Sequence, residues 1–207
     1  MGVEVVLIRH AESAMNLRPD LIGGQSNWAP LSAAGEGQAQ RLGEYFVSKG
    51  EKPSKVVSSP AIRAKRTAEL SLSAMGLDPE LCLDPALLEL DQGEWEGLDR
   101  ATVYTPDVVA HIHSMNGSFR APGGESPYDA ARRMYAAVDR HTDGVEPEGG
   151  PVFLYGHGFT FRAYVGLLVM NWPYQQVIKS ELQNTSITRL LYDGSTTELV
   201  SFNETPE

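Results

Sequence analysis

The sequence predicts an α/β fold with a largely parallel sheet, arranged as one domain over residues 1–207. Two observations carry this reading. Short apolar runs bounded by turn residues alternate with segments of helical period, the pattern of strands joined through helices. Three of those runs end in a turn that leads straight into a helix, as crossovers between parallel strands do. No internal repeat or low-complexity segment interrupts the alternation.

Val3 to Ile8 is an uninterrupted apolar-rich run and reads as a buried strand. Gly35 to Lys49 places Ala39, Leu42, Tyr45 and Phe46 on one helical face, and Gly50 stops it. Lys55 to Val57 is a short strand. It runs into Ser58-Ser59-Pro60, where Ser59 reads as the N-cap and Pro60 as the first residue of a helix through about Leu72. Residues 100–124 are turn-rich and predict a loop or small helical excursion over the sheet. Ser126 to Asp143 is amphipathic, with Ala130, Met134, Ala137 and Val138 inward, and Ser126 with Asp129 resembles a capping box. Pro151 to Tyr155 is a continuous apolar strand, followed by a helix from about Thr160 to Met170 with Pro173 just beyond. Ser186–Tyr192 and Thr197–Phe202 flank Asp193-Gly194-Ser195 and read as a terminal hairpin.

A chain of 207 residues buries roughly 70% of its unfolded surface, enough for a core without staples. The longest apolar stretch, around Val165 to Met170, falls far short of the roughly 20 residues that span a bilayer. The first residues enter a strand without a basic flank and apolar signal core, so export is not expected. Cys82 is the lone cysteine, which excludes an intrachain disulfide and a cysteine zinc site and fits a reducing cytoplasm. The formal net charge of −10 opposes nucleic-acid binding, whose affinity rests on Lys and Arg. An anionic ligand therefore needs locally concentrated arginines.

Such a concentration is visible at the strand ends. The first strand ends in Arg9-His10, the second leads to Arg63, and the strand ending at Tyr155 runs into Gly156-His157-Gly158. Ligands of open parallel sheets bind outside the carboxyl ends of strands, and helix N-termini there favour phosphate-sized anions. Arg63 sits about one turn into its helix, and helical side chains lean toward the N-terminus, so its guanidinium returns to that edge. Two arginine forks and two imidazoles around one point suit a phosphoryl group. Gly156 and Gly158 let backbone approach it closely.

These motifs resemble those of the histidine phosphatase superfamily, branch 1, the phosphoglycerate mutase-like proteins, from Val3 to about Tyr192. Arg9-His10-Ala11-Glu12, with Asn16 beyond, matches the N-terminal signature. "SSPAIRAKRTAE" matches the second arginine motif at Arg63, "LLELDQGEWEG" the acid segment at Glu89, and "GHGFTFR" the second histidine motif at His157. "PGGES", Pro122 to Ser126, is common among the phosphatase members. Ala11 stands where the family usually has glycine, so its methyl is expected either to crowd the backbone beside His10 or to need a slightly different turn, with the chemistry kept.

The resemblance implies a three-layer α/β/α sandwich of phosphoglycerate mutase-like type. It implies His10 as a nucleophile that becomes phosphohistidine, with Arg9, Arg63 and His157 holding the phosphoryl oxygens. Asn16 and Gly158 complete the phosphate site, and Glu89 serves the leaving oxygen and then water. That last role asks for a carboxyl kept protonated by burial or nearby negative charge. No cofactor or metal is expected. His111-Ile112-His113 lacks a matching carboxylate cluster and reads as surface. Read singly, His157 is also compatible with a turn histidine, and Glu89 with Asp91 with a solvated acidic strand end. Trp28, Phe119 and Trp172 read as packing residues in preference to a substrate platform, with Trp28 in a loop that could overhang the site.

The implied reaction is hydrolysis of a small phosphate monoester. Mutase relatives carry extra sequence and basic residues between the acid and the second histidine. Here only 68 positions separate Glu89 from His157, with Arg100, Arg120, Arg132, Arg133 and Arg140 between them. Mutase-type phosphoryl transfer and a catalytically weak phospho-ligand-binding relative are the alternatives. Expected partners are a small-molecule phosphate ester and, at most, a second copy of the chain; neither nucleic acid nor membrane is expected.

Overall fold

The computed structural model describes residues 2–78 and 81–206. Six strands form one sheet in the order β3-β2-β4-β1-β5-β6, with β1 Val3–Arg9, β2 Lys55–Ser58, β3 Cys82–Leu83, β4 Val152–Gly156, β5 Ile187–Tyr192 and β6 Thr197–Glu204. The first four strands in space run parallel; β5 and β6 are antiparallel and form the terminal hairpin. Helices α1 (Ala33–Ser48), α2 (Ile62–Ala74), α5 (Pro127–Thr142) and α6 (Gly158–Ala163) cover the faces. Two further short helices, α3 (Arg100–Val103) and α4 (Pro106–Ser114), occupy the excursion, and α7 spans Tyr174–Lys179.

Alternation along β1 and β4 makes the three layers. Val5, Leu7, Val152 and Leu154 pack with Met134, Val138, Phe161 and Tyr164 on one face. Val6, Ile8, Phe153 and Tyr155 meet Leu42, Phe46, Ala68 and Leu72 on the other. Successive strand side chains point to opposite faces, so a strand buried on both sides reads as a continuous apolar run.

Local signals explain most helix starts. Ser32 caps α1 by accepting from Gly35 N at 3.0 Å. A Cβ on Gly35 would lie 2.0 Å from Glu12 O, so only glycine lets α1 abut the loop after β1. Ser126 and Asp129 form the expected reciprocal capping box of α5, with Pro127 in the first turn.

Four elements depart from the sequence reading. Helix α2 starts at Ile62 behind Ala61, with no side-chain cap; the Ser59 hydroxyl lies outside the helix and accepts from His157 Nε2 at 2.8 Å and from Ala61 N at 3.3 Å. The helix expected over 160–170 begins at Gly158 and widens into a π turn over Tyr164–Val169. Strand β3 and helix α7 carried no readable signal: β3 is two residues long, and α7 is a six-residue helix. Among the described residues no helix is long and apolar enough to cross a membrane.

Candidate active site

The parallel strands β1, β2 and β4 all end at one edge. Arg9 lies in register with Gly156, His10 N donates to Gly156 O at 2.9 Å, and Ser59 N donates to Tyr155 O at 2.8 Å. His10, Ser59 and His157 therefore emerge side by side for a topological reason.

Arg63 joins them. From α2 its Nε donates to His10 Nε2 at 3.1 Å, its Nη2 to His157 Nδ1 at 3.0 Å and its Nη1 to Ser26 O at 2.9 Å. A guanidinium only donates, so both histidine nitrogens facing it carry lone pairs. The remaining ring protons are then assigned: His10 Nδ1–H donates to Ala11 O at 2.7 Å, and His157 Nε2–H donates to Ser59 Oγ at 2.8 Å. The two imidazoles lie 5.1 Å apart between ring centroids. Burial and the Arg63 charge push both histidine pKa values well below 6.5, so both are neutral. Burial also lowers the Arg63 pKa to about 10, which leaves it cationic near neutrality.

Ala11 fits without strain. It is buried, is absent from the positive-φ residues, and donates its N–H to Thr67 Oγ1 at 3.0 Å. The alanine methyl therefore needs no unusual turn.

The floor of a cleft of about 640 Å³ is lined by Arg9, His10, Asn16, Arg63, Glu89 and Arg162. Among the described residues no carboxylate approaches Arg9, Arg63 or Arg162 within 4.0 Å. Arg9 donates from Nη1 to Leu182 O, while its Nε is buried with no partner among those residues. Buried guanidinium charge without a counter-ion is costly, and an anion on the floor would compensate it. Asn16 Oδ1 accepts from Ser13 N and Ser13 Oγ at 2.9 and 3.0 Å, which leaves its Nδ2 as the group that can donate into the cleft.

Glu89 is held differently from expectation. Its carboxylate accepts from Phe159 N at 3.0 Å, Thr160 N at 2.9 Å and Thr160 Oγ1 at 3.0 Å, at the start of α6. These are donors, neither an apolar wall nor a second carboxylate. Arg133 fixes the segment by donating to Ala86 O and Glu89 O at 2.8 and 3.0 Å while pairing with Glu125 at 2.7 Å.

Further expectations change. His157 is fully enclosed with both ring nitrogens engaged, so it stands behind Arg63 and does not border the cleft. Gly158 makes room for a side chain: a Cβ there would lie 3.0 Å from Arg9 Nε. Phe119 is a cleft wall residue, and Trp28 is 66% exposed, so neither packs in a core; Trp172 meets Phe202 edge-on at 5.7 Å. His111 and His113 are exposed, but His113 borders the cleft and His111 meets Phe119 at 5.7 Å.

Four residues take part in the site without having been read as site residues in the sequence: Ser59, read there as a helix cap, Ser26, Arg133 and Arg162. Only Arg162 carried a signal. It lies four residues after Gly158, so its side chain leans back to the start of α6, as Arg63 does on α2.

The fold and this site define a phosphoryl-handling α/β protein. The chain belongs to the histidine phosphatase superfamily (branch 1), whose family model matches residues 5–205. It is 33% identical over 195 residues to a protein named "Probable phosphoglycerate mutase GpmB" from Salmonella paratyphi C, covering 93% of this chain and 86% of that one. Among solved structures it resembles "Mycobacterial hydrolase 1" (27% identity, TM-score 0.84, 99% of this chain and 100% of that one). It also resembles a mycobacterial glucosyl-3-phosphoglycerate phosphatase complexed with VO3 (25% identity, TM-score 0.81, 98% and 100%).

Proposed function

We propose that the chain hydrolyses a phosphate monoester through a phosphohistidine on His10. One observation carries the reading. His10 is a neutral imidazole whose Nδ1 proton is fixed on Ala11 O, so its lone pair is on Nε2, beside arginines that have no counter-carboxylate. That combination suits nucleophilic attack on a dianionic phosphoryl group.

In the proposed sequence the negative phosphoryl group beside Glu89 favours its acid form. His10 Nε2 forms a bond to phosphorus while the P–O ester bond breaks and the departing oxygen takes the Glu89 proton. Water then attacks phosphorus, Glu89 takes its proton, and the N–P bond breaks to release inorganic phosphate. Arg9, Arg63 and the Asn16 amide hold the phosphoryl oxygens. His157 serves by keeping Arg63 oriented. No metal or cofactor enters these steps.

Phosphoglycerate mutase-type transfer is the second reading, favoured by the name of the 33% identical relatives. One experiment addresses both. Brief exposure to a 32P-labelled ester, then denaturation, is expected to leave acid-labile, base-stable label on His10 and to release inorganic phosphate continuously. Label with transfer back to bound product and little free phosphate would favour the mutase. Full turnover by His10→Ala would overturn both.

A further inference from the structure

The outer half of the cleft is unlike its floor. Trp95, Tyr104 and Phe119 come from residues 95–119 and form a contiguous wall. Trp95 leans on Phe119 with centroids 5.4 Å apart and 32° between planes, and meets Tyr104 edge-on at 5.7 Å. All three rings are half-buried rather than enclosed. Apolar surface left facing water is unfavourable, which favours a ligand that covers it.

The cations at this end are already committed. Arg18 pairs with Asp20 at 2.8 Å. Arg100 donates to the backbone oxygens of Pro19 and Leu21 at 3.2 and 3.3 Å and lies over the Tyr104 ring. Arg18 is paired within its own turn and Arg100 is held across to residues 19–21, so a substrate carboxylate would have to displace these partners. The volume of about 640 Å³ lies within the roughly 300–1,000 Å³ of sites that enclose drug-sized ligands, far more than a three-carbon acid fills.

We infer that the alcohol half of the substrate carries an aromatic ring, seated on Trp95 and Phe119 while its phosphoryl group lies on the arginine floor. These two residues then determine specificity. The inference rests on the hydrolase reading above and refines its substrate class.

The test compares 2-phenylethyl phosphate with glycerol 3-phosphate, both alkyl esters with similar demand on the leaving group. The intact chain is expected to favour the phenylethyl ester in kcat/KM by about 10- to 100-fold, as burial of a phenyl ring implies. Trp95→Ala and Phe119→Leu are each expected to raise its KM about tenfold and shrink that preference, with the circular dichroism spectrum retained. Preference for the glycerol ester, or equal loss on both esters in the variants, would overturn the inference. Calorimetric binding of 2-phenylethylphosphonate against methylphosphonate separates the two readings. Stronger phenylethyl binding that Trp95→Ala abolishes, with no turnover of any ester, would uphold the aromatic site and remove the hydrolase. Equal binding of the two phosphonates would remove the aromatic site whatever the turnover.

Discussion

Arg63 Nε donates to His10 Nε2 at 3.1 Å, so the lone pair proposed for attack on phosphorus is held by the same guanidinium proposed to hold the phosphate. An incoming anion competes for that N–H with charge-assisted strength. In the proposed mechanism, drawing Arg63 toward the anion's oxygens would release the imidazole for attack.

The neutral histidines make stability fall in acid. His10 and His157 have pKa values well below 6.5 in the folded chain through burial and the Arg63 charge. The unfolded chain protonates both as pH drops below about 6.5, so their contribution is complete above that pH and is lost below it. The slope reaches at most ~1.4 kcal/mol per pH unit per ring. His141, also lowered chiefly by burial, acts in the same direction. Urea melts are expected to show lower stability at pH 5.5 than at 7.5; equal midpoints would contradict neutral burial.

Ser59→Ala removes the acceptor for His157 Nε2–H. A buried donor left unmet costs about 1–3 kcal/mol. It also frees His157 to move its proton to Nδ1, donor against donor with Arg63 Nη2. The expected result is a lower melting temperature and roughly tenfold lower kcat, in line with a lost hydrogen bond of 1–1.5 kcal/mol. Nitrogen-15 shifts that show His157 in its original tautomer with kcat intact would refute the positioning role.

Glu89→Gln tests the proton carrier. General acid–base groups contribute about 10²–10⁴-fold, and a loss in that range is expected on an alkyl phosphate, shrinking on an aryl phosphate whose leaving group needs less protonation. The amide also sets an NH2 group among the N–H donors of Phe159 and Thr160, so urea melts should record a modest loss of stability alongside. Equal turnover of wild type and variant on the alkyl ester would move the role to another carboxylate.

Gly158→Ala pushes on Arg9. The new Cβ would lie 3.0 Å from Arg9 Nε and 3.3 Å from Cδ, so the guanidinium must shift by a few tenths of an ångström. A raised KM, about tenfold, is expected because displacing one charge-assisted bond of about 1.5–3 kcal/mol weakens phosphate binding. An unchanged KM would show that Arg9 does not hold the substrate.

Features set by neighbouring residues are legible in the chain alone. The apolar runs of β1 and β4 dictate two-sided burial, the Ser126–Asp129 pair encodes its own cap, and the Arg9-His10 and Gly156-His157-Gly158 stretches announce strand ends that carry chemistry. Each depends on residues a few positions apart. The connections between distant residues follow from packing. Ser59 reads as a helix cap until β2 is placed beside β4, which brings its hydroxyl to an imidazole 98 positions away. The donors around Glu89 come from a helix 70 residues further on, and Arg133 reaches that segment from α5. A side chain with several possible partners takes the one that packing brings within 3 Å, and that choice is written in the order of the strands.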